Sequence, residues 1–587
     1  MPMKRNEKNW KIRPRYEEIQ QLLSPQLGIS PLLSQLLAGR NITTPEEADS
    51  FLSPRLNNLH SPFLMKDMEK AVERICKAVK CQEEIVLYGD YDVDGITGTS
   101  ILLLFLRSVG ARVSFFIPDR SEEGYGLHIK ALERIKEKGA KLIVTIDCGS
   151  SDVEQVQFAQ RQGMDVIITD HHKVSSVVPP AYAMVNPQQK ECAFPFDSLA
   201  GVGVVFKLLM ALRKTLRDHG FWEGQPVPNL KEYLDLVALG TIADIVQLID
   251  ENRILVKYGL KQLTEGNRVG IKALKEVCGL SDAEITSGLV AFRLGPRINA
   301  PGRMSQAARA VTLLTTDDYQ EAQKIALLLE EENKQRQQIE SRISKEACAL
   351  IDADANLQER KSIVLASSRW HPGVIGICAS RLLDKYGKPS ILIACDDKKG
   401  IGKGSARSAE LFHLYEGLQA CAHLLKNYGG HRSAAGLTIE LSKLEEFRDF
   451  FDTVVSENFS EEDIISPIEI DAEVSLKEVS EQLVKEISRL EPFGRCNPEP
   501  MFSSLELDSY VSKEVGKGHL KLKIKEESLS YDAIGFNMAE QFLPSLKPPD
   551  AHPDGTGRIK IAFVPQINTW QGVTSVQLKV KDIKCIS

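Results

Sequence analysis

From about Asp67 onward the chain alternates short β-branched runs with helix-period stretches. Ile85 to Tyr88, Arg112 to Ile117, Lys141 to Ile146 and Val166 to Thr169 read as strands, and the alternation predicts a parallel sheet with helices on both faces. Ligands of such open sheets sit outside the carboxyl ends of the strands. Residues 1–64 are helical in pattern but interrupted by Pro25, Pro31, Pro45 and Pro54, and are expected to be a lead-in segment without chemistry of its own. Asp317 to Leu357 lacks Gly and Pro and predicts one long helix, a connector. A smaller αβ region follows, with strands at Ser362 to Ala366 and Ser390 to Cys395, a helix near Ile375 to Tyr386 and a Gly-rich segment from Tyr428 to Gly436. From about Pro467 the pattern turns hairpin-like, through Leu520 to Ile524, Tyr531 to Phe536, Ile559 to Val564 and Thr574 to Val580, which predicts a small β-barrel or sandwich.

Length and composition narrow the classes. At 587 residues the chain needs several cores, and 43% hydrophobic with 26% charged residues is an ordinary globular balance. The formal charge of -7 means that a polyanion must be held by local basic patches. The 11 cysteines stand singly with no C-x-x-C pair, against a disulfide framework or a thiolate zinc site. No apolar run approaches the roughly 20 residues that span a bilayer, and a reducing cytoplasm is the expected setting.

The chemistry is concentrated where apolar runs end. Leu87 to Gly95 reads LYGDYDVDG, a strand running into Asp90, Asp92 and Asp94 and then into a helix. Three alternate carboxylates repel one another unless a cation neutralises them. An Asp-rich loop with a helix cap explains the motif equally well in isolation, and an EF-hand loop fails because Ile101 stands where the bidentate Glu is required. A second run delivers Asp147, and a third delivers Asp170, His171 and His172. Asp244 after Val237 to Ala243 is a weaker candidate, since a turn or helix Asp explains it alone. A mixed Asp and His set with more carboxylates than one ion needs points to Mn²⁺ or Mg²⁺, with two ions sharing a carboxylate, and such pairs suit phosphoester hydrolysis.

The segments Asp90 to Gly95, Ile146 to Gly149, Asp170 to His172 and Gly240 to Asp244 resemble the four motifs of the DHH phosphoesterases. Tyr125 to Leu127, Leu199 to Val204, Pro296 to Ala300, Trp370 to Gly376, and Gly429 to His431 with Ala434 to Gly436 resemble the single-strand-specific DNA exonucleases of that family, in order along nearly the whole chain. The resemblance implies a DHH parallel-sheet domain (65–310), a connector helix (311–357), a smaller α/β DHHA1-type domain (358–460) and an OB-fold β-barrel (461–587) behind the lead-in segment (1–64). It implies 5′→3′ hydrolysis of single-stranded DNA to mononucleotides in recombination and repair. Asp92, Asp94, Asp147, His171 and Asp244 would be metal ligands, with Asp90, Asp170 and His172 as further ligands or orienting groups, and Asp92, Asp94, Asp147, His171 and His172 would carry catalysis. Tyr88 stands where some members of the family have a His.

Small residues at Gly429, Gly430, Ala434, Ala435 and Gly436 let a backbone approach a phosphate closely, although a tight turn explains glycines as well. Arg120, Arg303, Ser405, Arg407, Gly430 and His431 are the expected phosphate contacts. In the last region Lys521, Lys523 and Lys525 line one strand face, with Tyr510, Phe536 and Trp570 available for base stacking, and the resemblance, here to an OB-fold domain, implies that Lys521, Lys523, Lys525 and Trp570 touch DNA. A solvated outer face is the plain alternative for the lysines. By resemblance, the partners include single-strand-binding protein and a RecQ-type helicase, with no membrane, and the chain is expected to be a monomer. Two other functions compete: a phosphodiesterase for short oligoribonucleotides or cyclic dinucleotides, which needs no stacking platform after Pro467, and a non-catalytic DNA-binding scaffold, which needs no acidic cluster.

Overall fold

The computed structural model describes residues 9–119, 124–304, 306–409, 412–458, 467–527, 529–546, 558–570 and 573–586; Arg120 and the side chain of Trp570 lie outside the described set. The chain divides into two compact units, His60–Val246 with Tyr258–Ile465, and Met1–Leu59 with Gln247–Lys257 and Ser466–Ser587.

The larger unit contains a five-stranded parallel sheet of β1 (Ile85–Gly89), β2 (Val113–Phe116), β3 (Leu142–Ile146), β4 (Asp165–Thr169) and β5 (Ala183–Val185), in the order β2-β1-β3-β4-β5. β1 and β3 are buried throughout, as expected of strands covered by helices on both faces. The order reverses between β1 and β3, and a crevice forms outside the strand ends at such a switch point. Register matters here: Gly89 pairs with Ile146 and Ile146 with Thr169, so Asp90, Asp147 and Asp170 leave the sheet side by side. The Val93–Ser108, Gly201–Asp218 and Leu234–Ala243 helices pack against one another beside this rim.

In the same unit lies a second sheet of β6 (Ile363–Ser367), β7 (Ser390–Asp396), β8 (Ile401–Arg407), β9 (Leu425–Gly430) and β10 (Ala434–Glu440), in the order β9-β10-β8-β7-β6. Only β6 and β7 are parallel, joined through the predicted Ile375–Tyr386 helix. The long helix is Tyr319–Ala353, capped by Asp318, whose carboxylate accepts from Gln320 N and Glu321 N. It is more than a spacer. Ala322, Ala326 and Leu329 are buried near its start, and Ile343, Ala347 and Ile351 enter a core with Ile375, Cys378 and Leu382.

In the smaller unit, the lead-in segment turns out to be part of a core. Leu23, Leu33, Leu36 and Leu37 pack with Phe502, Leu522, Ile561 and Phe563, and Trp10–Ile12 pairs in parallel with Ile468–Ile470. Two of the prolines that interrupt the pattern start helices instead: Pro31 follows the cap Ser30, and Pro45 follows Thr44, which forms a capping box with Glu47. The seven-stranded sheet runs in the order Ala472–Val474, Phe502–Ser504, Arg558–Trp570, Val573–Ile586, Leu529–Gly535, His519–Glu526, Ser509–Val515.

The crossing of the Leu234–Ala243 and Val93–Ser108 helices holds Asp244 beside Asp94. A methyl group on Gly240 would lie 2.3 Å from Thr97 Oγ1 and 3.1 Å from Asp94 Oδ1. Gly240→Ala forces the helices apart at a cost of roughly 1–3 kcal/mol. It is expected to lower the thermal midpoint and the Mn²⁺ affinity together; a midpoint unchanged from wild type in a thermal melt refutes this packing argument.

Candidate functional site

Backbone groups set the acids in place. Asp92 caps the Val93–Ser108 helix, its Oδ1 accepting from Asp94 N (2.9 Å) and Gly95 N (3.1 Å). Gly95 is required there, because a Cβ would lie 2.5 Å from Asp90 O. Asp94 is buried and accepts from Gly201 N (2.6 Å) and Val202 N (2.8 Å), so the N-terminus of the Gly201–Asp218 helix orients it. Asp147 adopts the left-handed region at φ 63°, an uncommon conformation for a residue with a side chain. A Cβ on Gly201 would sit 2.8 Å from Asp147 Oδ1, so this glycine makes room for the carboxylate.

His171 Nε2 lies 3.2 Å from Asp147 Oδ1, 3.4 Å from Asp244 Oδ2 and 3.8 Å from Asp94 Oδ2. Three groups of donor atoms converge within ion-binding range: Asp147, His171 and His172; Asp94, His171 and Asp244; and Asp90, Asp92 and Asp147. The carboxylates at the centre are electrostatically frustrated. Burial, and then repulsion from Asp92, push the Asp94 carboxyl up to about 7 despite its two amide bonds. Burial and the charges of Asp94, Asp92, Asp244 and Asp90 raise Asp147 well above the usual carboxylate range.

Asp170 has a different task. Its Oδ1 accepts from His171 N, His172 N and His172 Nδ1, and its Oδ2 from Ser150 N. Burial opposes its charge, but the His172 contacts hold it below the usual carboxylate range. With its lone pairs engaged, Asp170 is placed to orient the histidines, one of the two roles expected of it, and it is absent from the converging donor groups found among the described residues. Burial and His172 lower His171 to about 4, leaving a neutral imidazole. Burial works against a charge on His172 as well, yet the Asp170 bond outweighs it and raises His172 to about 9.

Of the supporting residues, Asn299 and Tyr125 lie in segments that carry the family resemblance, and Asn186 lies in none. Asn299 Oδ1 accepts from Val93 N, and Tyr125 donates its hydroxyl to Asp147 O (3.0 Å) beside His172 Nδ1 (3.1 Å). Asn186 Nδ2 donates to Ser150 Oγ and His172 O. Tyr88, by contrast, turns into the core and donates to Gly126 O.

Of the expected phosphate contacts, Arg303, Ser405 and Arg407 fall on one set of close approaches. A Cβ on Gly302 would be 2.7 Å from Tyr91 O, and one on Gly373 would be 2.6 Å from Arg303 O. Arg303 Nη1 donates to Gly373 O at 3.1 Å. A Cβ on Gly376 would lie 2.8 Å from Ser405 Oγ and 3.1 Å from Arg407 Nη2, so the first turn of the Ile375–Tyr386 helix rests on the Ser405 and Arg407 side chains. Amides, hydroxyl and guanidinium together suit an anion. Gly430, at φ 143°, has no room for a Cβ against Ala434 O, and the exposed His431 is close enough for His172 and Lys173 to act on it electrostatically. In the smaller unit Lys521, Lys523 and Lys525 face outward opposite buried Leu520, Leu522 and Ile524, and Lys521 pairs with Asp532 at 3.2 Å. Tyr510 is buried in that core and offers no stacking face, because its ring falls on the inward side of its strand; Phe536 is 53% exposed.

Comparison with known proteins agrees with this architecture. Residues 84–241 match the DHH family N-terminal domain, residues 360–457 the DHHA1 domain and residues 470–582 the RecJ OB domain. The chain is 38% identical over 579 residues to the single-stranded-DNA-specific exonuclease RecJ of Bacillus subtilis, covering 98% of this chain and 70% of that protein. It is 33% identical to the Escherichia coli RecJ over 97% of this chain and 99% of that one. The crystal structure of Thermus thermophilus RecJ in complex with Mn²⁺ superposes with a TM-score of 0.83 at 29% identity, covering 100% of this chain and 80% of that chain. With motifs, domains and near-complete relatives in agreement, the chain belongs to the RecJ family of single-stranded-DNA-specific exonucleases.

Proposed function

We propose that this chain removes mononucleotides from the 5′ end of single-stranded DNA, using two divalent cations held by Asp90, Asp92, Asp94, Asp147, His171 and Asp244. As a member of its family it is a metal-dependent DNA exonuclease. The observation that carries the metal assignment is a pair of buried atoms, Asp147 Oδ1 and His171 Nε2, that lie 3.2 Å apart with no hydrogen-bond partner among the described residues. Two such lone pairs facing each other are costly unless a cation takes both. The donors are oxygens and imidazole nitrogens, which suits Mn²⁺ or Mg²⁺; the neighbouring Cys148 thiol points instead toward Tyr88 O.

When bound, the ions supply an activated water and charge stabilisation at the scissile phosphate. The protein's own groups position the strand. Ser405, Arg407 and the amides after Gly373 grip the terminal phosphate, and the 5′→3′ polarity is the one that the resemblance to the family implies, so the gripped phosphate is read as the 5′ one. His172, held by Asp170, keeps a proton at Nδ1 and places positive charge beside the reacting phosphate. Lys173, next to His172 in the chain, and His431, which feels the charge of both, add further donors. The lysines at 523 and 525 supply non-specific contacts to the strand. The recombination and repair role, single-strand-binding protein and a RecQ-type helicase as partners, a monomeric state and a cytoplasmic setting belong to the same proposal; the described residues include no helix long and apolar enough to cross a membrane.

Asp147→Asn removes one of the repelling charges without breaking a hydrogen bond of Oδ1. Metal-free variant is expected to melt at least as high as metal-free wild type, while Mn²⁺ no longer raises the midpoint and hydrolysis of a labelled strand disappears. Retained hydrolysis sinks the metal assignment.

Arg407→Ala is expected to cut the rate on a 5′-phosphorylated strand by at least tenfold, and the rate on a 5′-hydroxyl strand far less. Equal losses on both strands contradict the phosphate grip.

Replacing Lys523 or Lys525 by Gln should weaken single-strand binding and lower the slope of log affinity against log salt by about 0.7 for each lysine. An unaltered slope in fluorescence anisotropy leaves those lysines as a solvated face.

A further inference from the structure

Beside the end of the helix that leads to Asp244, a cavity of about 250 Å³ opens within the larger unit on Ile242, Ala243 and Ile245, and none of the hydrolytic chemistry above requires it. Its wall includes Ile245, Phe292, Pro296, Arg303, Arg336 and Ile377. Two features of this wall are costly for a merely structural surface. Phe292 is 80% exposed, and it stands in a π-helical turn, Val290–Leu294, a geometry that occurs mostly at functional sites. Ile245 is 66% exposed and holds φ at 59°, a left-handed conformation that a β-branched side chain resists. Two large apolar side chains thus stand in solvent at the mouth of one cavity, and the backbone of each departs from its relaxed form.

The charged groups on the wall are both guanidiniums. Arg303 donates to Gly373 O, and Arg336 is held by Glu340 at 2.9 Å and Asn333 at 2.9 Å while its Nε is buried without a hydrogen-bond partner. An apolar slot with cationic groups at its wall fits a flat, hydrophobic group attached to phosphate. Position selects which one. Ile245 directly follows the ligand candidate Asp244, and Ile377 directly follows Gly376, which rests on Ser405 and Arg407. The cavity is thus lined by immediate chain neighbours of Asp244 on one side and of Gly376 on the other, with Arg303 between them among the expected phosphate contacts. Of all residues in a strand, only the terminal nucleotide has one phosphate in each place.

We propose that this cavity receives the base of the 5′-terminal nucleotide, with Phe292 stacking on its face and Ile245 bearing on its edge. The inference rests on the 5′-phosphate reading above and adds a base-binding subsite to it. Stacking is indifferent to base identity, since every base has a π-face, so this contact helps an exonuclease accept any sequence while still fixing the terminal residue.

The test compares initial rates on a 5′-phosphorylated single strand with those on the same strand carrying an abasic terminal residue. Wild type is expected to be roughly tenfold slower on the abasic strand, the size of one base–aromatic stack. Phe292→Ala should be slow on both strands and lose the discrimination, whereas Phe292→Trp should keep it. A second readout needs no cleavage: 2-aminopurine at the terminal position, bound in chelator, should be quenched by wild type and by Phe292→Trp but not by Phe292→Ala. Equal wild-type rates on the two strands, or a wild-type ratio preserved in Phe292→Ala, overturns the subsite. Wild-type indifference to the 5′ phosphate overturns the underlying reading instead, which separates the two failures.

Discussion

Four carboxylates, Asp92, Asp94, Asp147 and Asp244, are brought within mutual repulsion in a site where no Lys or Arg of the described residues pairs with Asp94 or Asp147. Holding them there costs folding free energy, and the surrounding structure supplies the restraint. The N-terminus of the Gly201–Asp218 helix fixes Asp94, the left-handed backbone turns Asp147 toward it, and Gly240 lets the helix that ends at Asp244 come close. Each device is local backbone geometry, which a change of ionic conditions cannot undo. The field left over is the driving force for cation binding, and a fold that neutralised these acids with arginines would be more stable and chemically inert.

The same economy of small residues carries the metal loop into the second sheet. Gly302 allows the Pro301–Met304 turn to touch Tyr91, Gly373 lets its chain approach Arg303, and Gly376 seats a helix on Ser405 and Arg407. A methyl group at any of the three meets an atom within 3 Å. The distance between the acids and the proposed phosphate grip is thereby set by direct contacts rather than by a flexible linker, and an exonuclease that measures off one nucleotide at a time would depend on that distance being constant.

Much of this was legible in the sequence, for a physical reason: strands buried on both faces are nearly continuous apolar runs, so Asp90, Asp147 and Asp170 announce themselves as the first charged residues after each run. Asp244 stood out less because it ends a helix, and what makes it a neighbour of Asp94 is a helix crossing at Gly240 that no local pattern encodes. β5 is three residues long and β8 reads IGKGSAR, with too few apolar positions to signal a strand, yet β8 supplies Ser405 and Arg407. The N-terminal prolines looked like interruptions because a proline at the first helical position and one that breaks a helix are the same letter. Tyr510 illustrates the limit of reading exposure from a basic strand's neighbours: the side of the sheet it occupies follows from its pairing with Ile524, a core residue.

Adjacent histidines would ordinarily titrate alike, and here Asp170 makes them different. By accepting from the backbone of both and from the ring of only one, it ties His172 into a charged pair and leaves His171 as a neutral nitrogen donor in the midst of the acids. One imidazole is thus suited to a metal, which needs a lone pair, and the other to a phosphate, which needs a proton. The three letters D-H-H are then a single device: the acid sorts the two bases into separate tasks, and the buried position of Asp170, which makes its hydrogen bonds expensive to lose, keeps that sorting fixed while the strand and its products come and go.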